Sequence, residues 1–547
     1  MNTGKIKNNN KNIKNNKNNK KDDMTITQEY LLDYETYKKK YGDKTVVLMQ
    51  VGSFYECYST RERGPNLQHI SSLVNILCTR KDKSIPDIDE KNPFMMGFPM
   101  IASQKFITIL VNNGYTVVIK DQVTPPPNPE RKVTNIYSKG TYIDNIEKND
   151  TNFTMCIYLE EEKQRNGAYL MCSGVSAIDL STGKTYIHQS LSTESDEHIA
   201  LDETSRFINS VKPSEIIVYY ENNGKNSKGT NNMDKIINYL ELDNWNYNIK
   251  KEIPKNYKSI NFQNTFLTAV YKINSMLSPI EELDMDRMDY ARLSLLLLLD
   301  FAKDHNENIL NDINRPEQYI DNTRLILGNN AIHQLNVVTN VSDEYIHKVN
   351  NIGSLFDVVN NTSTAIGYRL LKDRLISPYV SHIELNKIYN LTEVFQENKF
   401  YTNIEENLNG ISDIERLNRK MLLLRLGPFE LSNMYESFNE IIKLYNKLLE
   451  KISGNKNIDT KFMPKQITIN KLIEFNKKIE KTFVLSEMKK YSIGNITDTF
   501  FLPGIHKDID KIRAQMKDEL EFINELCEVL CDYVDDNKAN INLKKIK

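Results

Sequence analysis

The sequence lacks an excess of positive charge. Its 71 basic and 73 acidic side chains give a formal net charge of −2 over 547 residues. Proteins that coat nucleic acid without sequence preference usually carry a large positive charge, because their lysines and arginines neutralise phosphates. The composition therefore excludes a global DNA coat, and any contact with nucleic acid must come from local basic patches.

The patterns of disulfide scaffolds and metal sites are missing too. The six cysteines form no C-x-x-C pair, and the eight histidines are scattered without the spacing of metal ligands. We therefore expect neither a disulfide framework nor a metal site. This cysteine usage indicates an intracellular, reducing compartment.

Long apolar runs are absent. The leucine run Leu295–Leu299 is far too short to cross a bilayer and is flanked by Arg292 and Asp300. It is typical of the centre of a buried helix, and we expect no contact with a membrane. Residues 1–23 are almost wholly Asn and Lys, without the apolar core of a signal peptide, and they predict a disordered tail.

The most informative feature that is present is the hexapeptide V-G-S-F-Y-E at residues 51–56, which follows a β-rich run at 44–50. An aromatic ring such as that of Phe54 can wedge into a base step and unstack it. Glu56 lies two residues further on, hence on the same face of an extended chain. There its carboxylate can hydrogen-bond an exposed base edge. Taken alone, these residues also fit a buried core.

Further segments carry a family resemblance. V-G-S-F-Y-E is similar to the G-D-F-Y-E signature of the MutS family, which recognises DNA mismatches. The sequences N-P-F-M-M-G-F-P at 92–99, Y-T-V-V-I-K-D-Q at 115–122 and R-K-V at 131–133, followed by G-T at 140–141, resemble later family motifs in the same order. Between them lies an amphipathic segment, 103–113. Departures from the family pattern are Ser53 for Asp, Asp121 for Glu and Ser138-Lys139 for Thr-Pro.

The resemblance implies a binding site for mismatched double-stranded DNA. In this interpretation Phe54 stacks on the mispaired base and Glu56 forms a hydrogen bond with it. Basic side chains of the same region would hold the DNA backbone without reading sequence. They are Arg80, Lys81, Lys83, Lys105, Arg131 and Lys132.

The chain is long enough for three to four domains of roughly 150 residues. After the tail at 1–23, we expect a mixed α/β mismatch-recognition domain at 24–145. Strand and helix signals at 150–280 resemble the ribonuclease-H-like connector domain of the family, with a polar insertion at 221–232. Residues 284–547 predict a long-helix core and lever domain, truncated near the clamp, whose periodic apolar residues form a core.

Three helices of this last region can be placed more closely. Thr362 or Ser363 is expected to cap a helix that Pro378 stops. Another helix is expected over 471–491. The segment 501–510 resembles the opening of the family's second lever helix, which would run to about Asp536.

A nucleotide-binding loop of the form G-x-x-x-x-G-K-[ST] is also missing. The fragment Gly183-Lys184-Thr185 has Ile178 where the first glycine is required, and its context predicts a hairpin turn. We therefore expect that this chain is not an enzyme and binds no cofactor. The resemblance implies that ATP and magnesium belong to an ATPase domain that this sequence lacks. It also implies a homo- or heterodimer with another MutS-family chain, or a separate ATPase half.

Two other function classes stay open at this point. One is a structural helical scaffold that binds branched DNA without sensing mismatches. The other is a nuclease, because clustered carboxylates on a ribonuclease-H-like fold can hold two metal ions. Asp179 lies at a strand end, but the strand segments 154–159 and 215–220 contain no inward-facing acidic cluster.

Overall fold

A computed structural model describes residues 25–125, 129–143, 150–165, 167, 169–222, 233–250, 252–319, 324–325, 327, 331–338, 352–452, 463–492 and 496–534. The predicted tail and most of the polar insertion at 221–232 lie outside these residues. The chain forms two compact units, residues 1–382 and 383–547. The first unit contains two mixed six-stranded sheets with helices, and the second is helical.

The first sheet has the strand order β3-β4-β2-β1-β5-β6. β1 is central, and it pairs antiparallel with β2 and parallel with β5. Four consecutive β1 residues, 46–49, are fully buried, as expected for a strand covered on both faces. The strands are β1 Thr45–Val51, β2 Phe54–Ser59, β3 Thr79–Arg80, β4 Phe94–Pro99, β5 Thr116–Gln122 and β6 Arg131–Tyr137.

Three helices accompany this sheet: α1 Ile26–Tyr41, α2 Leu67–Val74 and α3 Ser103–Asn112. Thr25 and Gln28 form a capping box at the start of α1. The Lys120 ammonium, on β5, is nearly buried and binds two carboxylates of α1, Glu29 at 2.7 Å and Asp33. Because a buried charge must be paired, this contact fixes α1 against the sheet.

The second sheet has the order β11-β10-β7-β8-β9-β12. An antiparallel run of three strands, β7 to β9, is followed by a helix and by β10, which pairs parallel with β7. The elements are β7 Phe153–Lys163, β8 Tyr169–Asp179, β9 Lys184–Leu191, α4 Ile199–Val211, β10 Glu215–Asn222, α5 Met233–Tyr239, β11 Tyr247–Lys250, α6 Ile260–Tyr271, α7 Pro279–Glu282 and α8 Asp289–His305.

The leucine-rich helix α8 packs across β7 and β8. Its Leu295–Leu299 run is buried, which confirms the sequence-based expectation. At Gly174 of β8 an added Cβ would lie 2.0 Å from the carbonyl carbon of Tyr290, so only glycine allows this approach. One turn further, the hydroxyls of Ser176 and Ser294 are 2.9 Å apart.

The two sheets are joined by a set of polar contacts. The Glu215 carboxylate, at the start of β10, accepts hydrogen bonds from the Ser138 hydroxyl at 2.5 Å and the Gly140 amide at 3.3 Å. Burial raises the pKa of Glu215, and these two donors act in the opposite direction. An aromatic contact is added between α1 and α8, where the Tyr41 ring and the His305 imidazole form an edge-to-face pair, 5.2 Å between centroids.

The remainder of the first unit departs from the expectation that the chain is helical from 284 onward. Two residues form a strand, β12 Glu317–Gln318, on the free side of β9. Helices α9 Ala331–Gln334, α10 Leu355–Val359 and α11 Ala365–Ile376 follow. The residue that caps α11 is Thr364, whose hydroxyl accepts a hydrogen bond from the Gly367 amide at 3.0 Å, and not Thr362 or Ser363.

The second unit consists of α12 His382–Gln396, α13 Phe400–Asn409, α14 Ile414–Leu422, α15 Pro428–Ile452, α16 Gln466–Thr482, α17 Leu485–Met488 and α18 Lys507–Val534. The helix predicted over 471–491 was wrong in extent, because the chain turns extended at Phe483. The expected core role of the periodic apolar residues fails on α18, where Ile512, Met516 and Leu520 are exposed.

None of the helices within the described ranges combines the length and the apolar composition needed to cross a membrane.

Candidate nucleic-acid interface

Five strand ends line up at one end of the first sheet. Val51 pairs with Phe54, and Phe54 pairs with Pro99 on β4. On the other side, the β1–β5 register aligns Val51 with Gln122, which pairs with Arg131. We call this row the Phe54 end of the sheet. It brings segments that are far apart in sequence to one surface.

Phe54 begins β2 directly after a tight turn formed by Gly52 and Ser53. The turn is held by two hydrogen bonds, from the Gln50 side chain to the Gly52 carbonyl at 3.0 Å and from the Met100 amide to the Ser53 carbonyl at 3.0 Å. Phe54 is 44% exposed. A large aromatic residue at a hairpin tip is thereby presented to solvent on a fixed backbone.

Glu56 lies on the same face of β2 as Phe54 and is partly exposed. Its Oε2 accepts a hydrogen bond from the Tyr58 hydroxyl, two residues further along the strand. Burial and the Glu56 carboxylate raise the pKa of Tyr58 well above its usual range, so the phenol stays a donor at neutral pH. Tyr58 therefore orients the carboxylate, and the sequence analysis did not single it out, although its two-residue spacing from Glu56 was a usable signal.

The M-G-F-P segment fits against this pair. An added Cβ at Gly97 would lie 2.9 Å from the Tyr55 carbonyl oxygen and 3.1 Å from Cγ of Glu56. Glycine at this position therefore leaves the space that the Glu56 side chain occupies. This contact gives a physical reason for the spacing between the two motifs.

Three predicted backbone contacts lie away from the Phe54 end. Arg80 pairs with Phe94, at the beginning of β4, whereas Phe54 pairs with Pro99 at its end. Five residues of extended chain separate the two positions by about 17 Å. The Arg80 guanidinium donates to the carbonyls of Lys83 at 3.0 Å and Pro86 at 3.3 Å. It thus orders the loop that carries the exposed Lys81 and Lys83.

Arg131 is at the Phe54 end, but its side chain is only 9% exposed. Its Nε donates to the Gln50 carbonyl at 2.9 Å, and its Nη1 lies 3.6 Å from a Glu29 carboxylate oxygen. These contacts tie β6 to β1 and α1. The structure therefore does not support the predicted role of Arg131 at the DNA backbone. Lys105 and Lys132 are exposed at this end of the sheet.

Asp179, considered above for a nuclease, and two further carboxylates of the second sheet have partners within the chain. Asp179 is buried and accepts hydrogen bonds from the Ser181 amide at 2.9 Å and hydroxyl at 2.6 Å, which form a turn. Glu160 and Glu221, by contrast, are cross-strand neighbours just beyond the strand segments examined in the sequence. The Lys258 ammonium lies 3.5 Å from Glu160 and hydrogen-bonds Glu221. A cation of the chain itself thus bridges this pair.

Within the described ranges no group of three or more His, Cys, Asp or Glu side chains could hold a metal ion. The Gly183-Lys184-Thr185 fragment lies at the hairpin between β8 and β9, with the Gly183 amide donating to the Asp179 carbonyl at 2.7 Å. It opens a strand, as the sequence context predicts, whereas a phosphate-binding loop opens a helix.

Comparison with known proteins finds relatives along most of the chain. The family model for MutS domain I matches residues 30–146, and that for MutS domain III matches residues 330–543. A mutS homologue of Acanthamoeba polyphaga mimivirus is 36% identical over 516 residues, which are 90% of this chain and 45% of the relative.

Bacterial relatives named DNA mismatch repair protein MutS are more distant. The protein of Caldanaerobacter subterraneus is 26% identical over 428 residues, 77% of this chain and 44% of the relative. That of Clostridioides difficile is 26% identical over 519 residues, 92% of this chain and 46% of the relative. The chain spans about half the length of the curated relatives it matches.

Proposed function

The chain belongs to the MutS family, whose members are named for DNA mismatch repair, and from this premise we propose that it binds double-stranded DNA at mismatched base pairs. The Phe54 end of the first sheet would face the duplex. Phe54 would stack on the mispaired base, and Glu56 would hydrogen-bond that base.

The observation that supports this proposal is the exposure of Phe54 at a hydrogen-bonded hairpin turn, with an oriented carboxylate on the same face. A mispaired base costs less to unstack than a paired one, by up to a few kcal/mol. A mispaired step is also easier to kink. A ring that inserts between stacked bases therefore distinguishes mismatched from matched DNA by the lower free energy needed to unstack and kink the mismatch. It does so without reading the base sequence.

The exposed ammoniums of Lys105 and Lys132 would contact phosphates near the wedge, and these contacts carry no sequence information. Lys81 and Lys83, about 17 Å along β4, would reach a more distant part of the backbone. Arg80 would act by ordering their loop. This assignment gives most predicted basic residues a role, but separates them into two groups.

The domain assignment is part of the proposal. Residues 24–145 would be the mismatch-recognition domain and 150–280 the connector, with 284–547 as the helical core and lever. The order of three antiparallel strands, helix and parallel strand in β7 to β10 supports a ribonuclease-H-like connector. The 28-residue helix α18 supports a lever in the last segment.

We further propose that nucleotide chemistry is not carried by these residues. The Gly183-Lys184-Thr185 fragment turns a hairpin, which supports this assignment. ATP and magnesium would then bind to another MutS-family chain or to a separate ATPase half that pairs with this one. The partner would convert recognition into a repair signal.

Competition binding with a G·T heteroduplex, the matched homoduplex and a four-way junction tests the proposal. The wild-type chain should prefer the heteroduplex, and Phe54→Ala should lose that preference while salt-sensitive binding to all three remains. ATP with magnesium should leave the affinities of the purified chain unchanged. An unaltered preference in Phe54→Ala would remove the wedge role, and a preference for the junction would favour the scaffold alternative.

A further inference from the structure

Two exposed apolar side chains flank Phe54 at the same end of the sheet. Ile101 lies in the 3-10 turn Met100–Ala102, directly after Pro99, and is 72% exposed. Val123 directly follows Gln122 and is 46% exposed. Exposed apolar groups grouped on one surface indicate a binding region more often than isolated ones do.

The backbone holds both residues in place. The Met100 amide donates to the Ser53 carbonyl at 3.0 Å, which ties the Ile101 turn to the hairpin that carries Phe54. The Val123 amide donates to the Glu130 carbonyl at 2.8 Å, which closes the loop after β5. Both segments are therefore tied to neighbouring parts of the same domain by backbone hydrogen bonds.

The register sets the spacing along the row. Phe54 and Pro99 are on adjacent strands, about 5 Å apart, and Phe54 and Gln122 are two strands apart, about 10 Å. With 3.4 Å per base pair, these separations correspond to between one and three base pairs. The row from Pro99 to Gln122 is therefore long enough to contact the one to three base pairs next to Phe54.

The charges next to the row suit a polyanion. Lys105 lies four residues after Ile101, in the first turn of α3, and is exposed. Lys132 is exposed beside the other end of the row, where its ammonium forms a surface ion pair with Glu130 at 3.5 Å that a phosphate would replace. Apolar side chains between flanking ammoniums fit the sugar surfaces of a groove lined by phosphates.

We propose that Ile101 and Val123 are additional DNA contacts on either side of Phe54, packing against the duplex next to the mispaired base. This inference rests on the proposed function, because it assumes that the Phe54 end faces DNA. Ile101, being nearer to Phe54, contacts the base step that the wedge opens. Val123 contacts the duplex about three base pairs away.

The test measures affinity for the G·T heteroduplex in Ile101→Ala and Val123→Ala. Each variant should bind about five-fold more weakly, because part of an apolar side-chain contact is lost. Ile101→Leu, which keeps the apolar volume, should restore most of the affinity.

Leu77→Ala is the matched control. Leu77 is 78% exposed in the same domain, near β3 and hence at the other end of β4. The Leu77→Ala variant should bind the heteroduplex with wild-type affinity. Thermal unfolding should confirm that all variants are folded. Wild-type affinity in both Ile101→Ala and Val123→Ala overturns the inference. If that result comes with lost mismatch preference in Phe54→Ala, the proposed function stands, whereas retained preference in Phe54→Ala refutes the proposed function itself.

Discussion

At the scale of residues, neighbours in sequence take opposite roles. The Arg131 guanidinium is buried against Gln50 and Glu29, whereas the next side chain, Lys132, projects into solvent. Strand geometry explains the difference, since successive side chains point to opposite faces of a sheet. One residue therefore stabilises the domain, whereas the other forms only a surface ion pair with Glu130 and stays accessible to a phosphate.

This contrast gives a paired prediction. Lys132→Gln should lower the slope of log affinity against log salt by about 1, with an unchanged melting temperature. Arg131→Gln should reduce the free energy of unfolding by about 1 kcal/mol, because the partly buried Gln50 carbonyl and Glu29 carboxylate lose a charged donor. Salt titrations of DNA binding and urea unfolding separate the two effects. If Arg131→Gln were as stable as the wild type and had a reduced salt slope, the result would support the predicted contact of Arg131 with the DNA backbone.

At the scale of elements, the sequence predicted several of the strands and helices of the first unit. Apolar runs and Gly or Pro breaks placed β1, α3, β5 and the β8–β9 hairpin within a few residues of their observed bounds. It could not predict the pairing of β12 with β9, because two residues carry no periodic signal. The break at Phe483 was missed for a related reason, since the flanking sequence has no proline or glycine.

The packing of α8 against β8 can be tested by a substitution at Gly174. Gly174→Ala places a Cβ within 2.0 Å of the Tyr290 backbone, so the helix must move. We expect a loss of about 1–3 kcal/mol in the free energy of unfolding. Leu191→Ala, an exposed position on the adjacent strand β9, should change it by less than about 0.5 kcal/mol. Equal stability of both variants in urea unfolding would contradict the packing described for α8.

At the scale of the whole molecule, the stability should fall in mild acid. Burial lowers the pKa of His305 to about 4, below the value near 6.5 of an exposed histidine. The unfolded chain therefore binds more protons between these values. The contribution of neutral His305 is complete above about pH 6.5 and is lost as the pH falls towards 4.

Urea unfolding between pH 7 and pH 5 measures this effect. The wild type should lose stability on acidification, and His305→Gln should lose less. Burial also lowers the pKa of His188 to about 4, so part of the slope should remain. His69→Gln, at an exposed position, should retain the full slope. A His305→Gln variant with the wild-type slope would refute the assignment to His305, whose other charged neighbours are Asp304, Lys40 and Lys250.

The sequence predicted only part of the candidate site, because the site combines residues that are far apart in the chain. Phe54 and Glu56 share a strand, so their common face follows from sequence spacing alone. The basic residues come from three separate segments, and only the sheet register reveals that Arg80 and Phe54 are at opposite ends of β4. Contacts between distant segments, including the row of Ile101, Phe54 and Val123, carry no local sequence signal.

The parallel pairing of β1 with β5 joins residues 45–49 to residues 116–120. During synthesis, the β1–β2 hairpin therefore leaves the ribosome well before the strand that covers its open side. Until β5 emerges, the backbone amides and carbonyls on that side of β1 have no strand partner, in a segment whose residues 46–49 are fully buried in the folded domain. We expect this interval to be the time when a nascent chain is most exposed to aggregation and most in need of a chaperone.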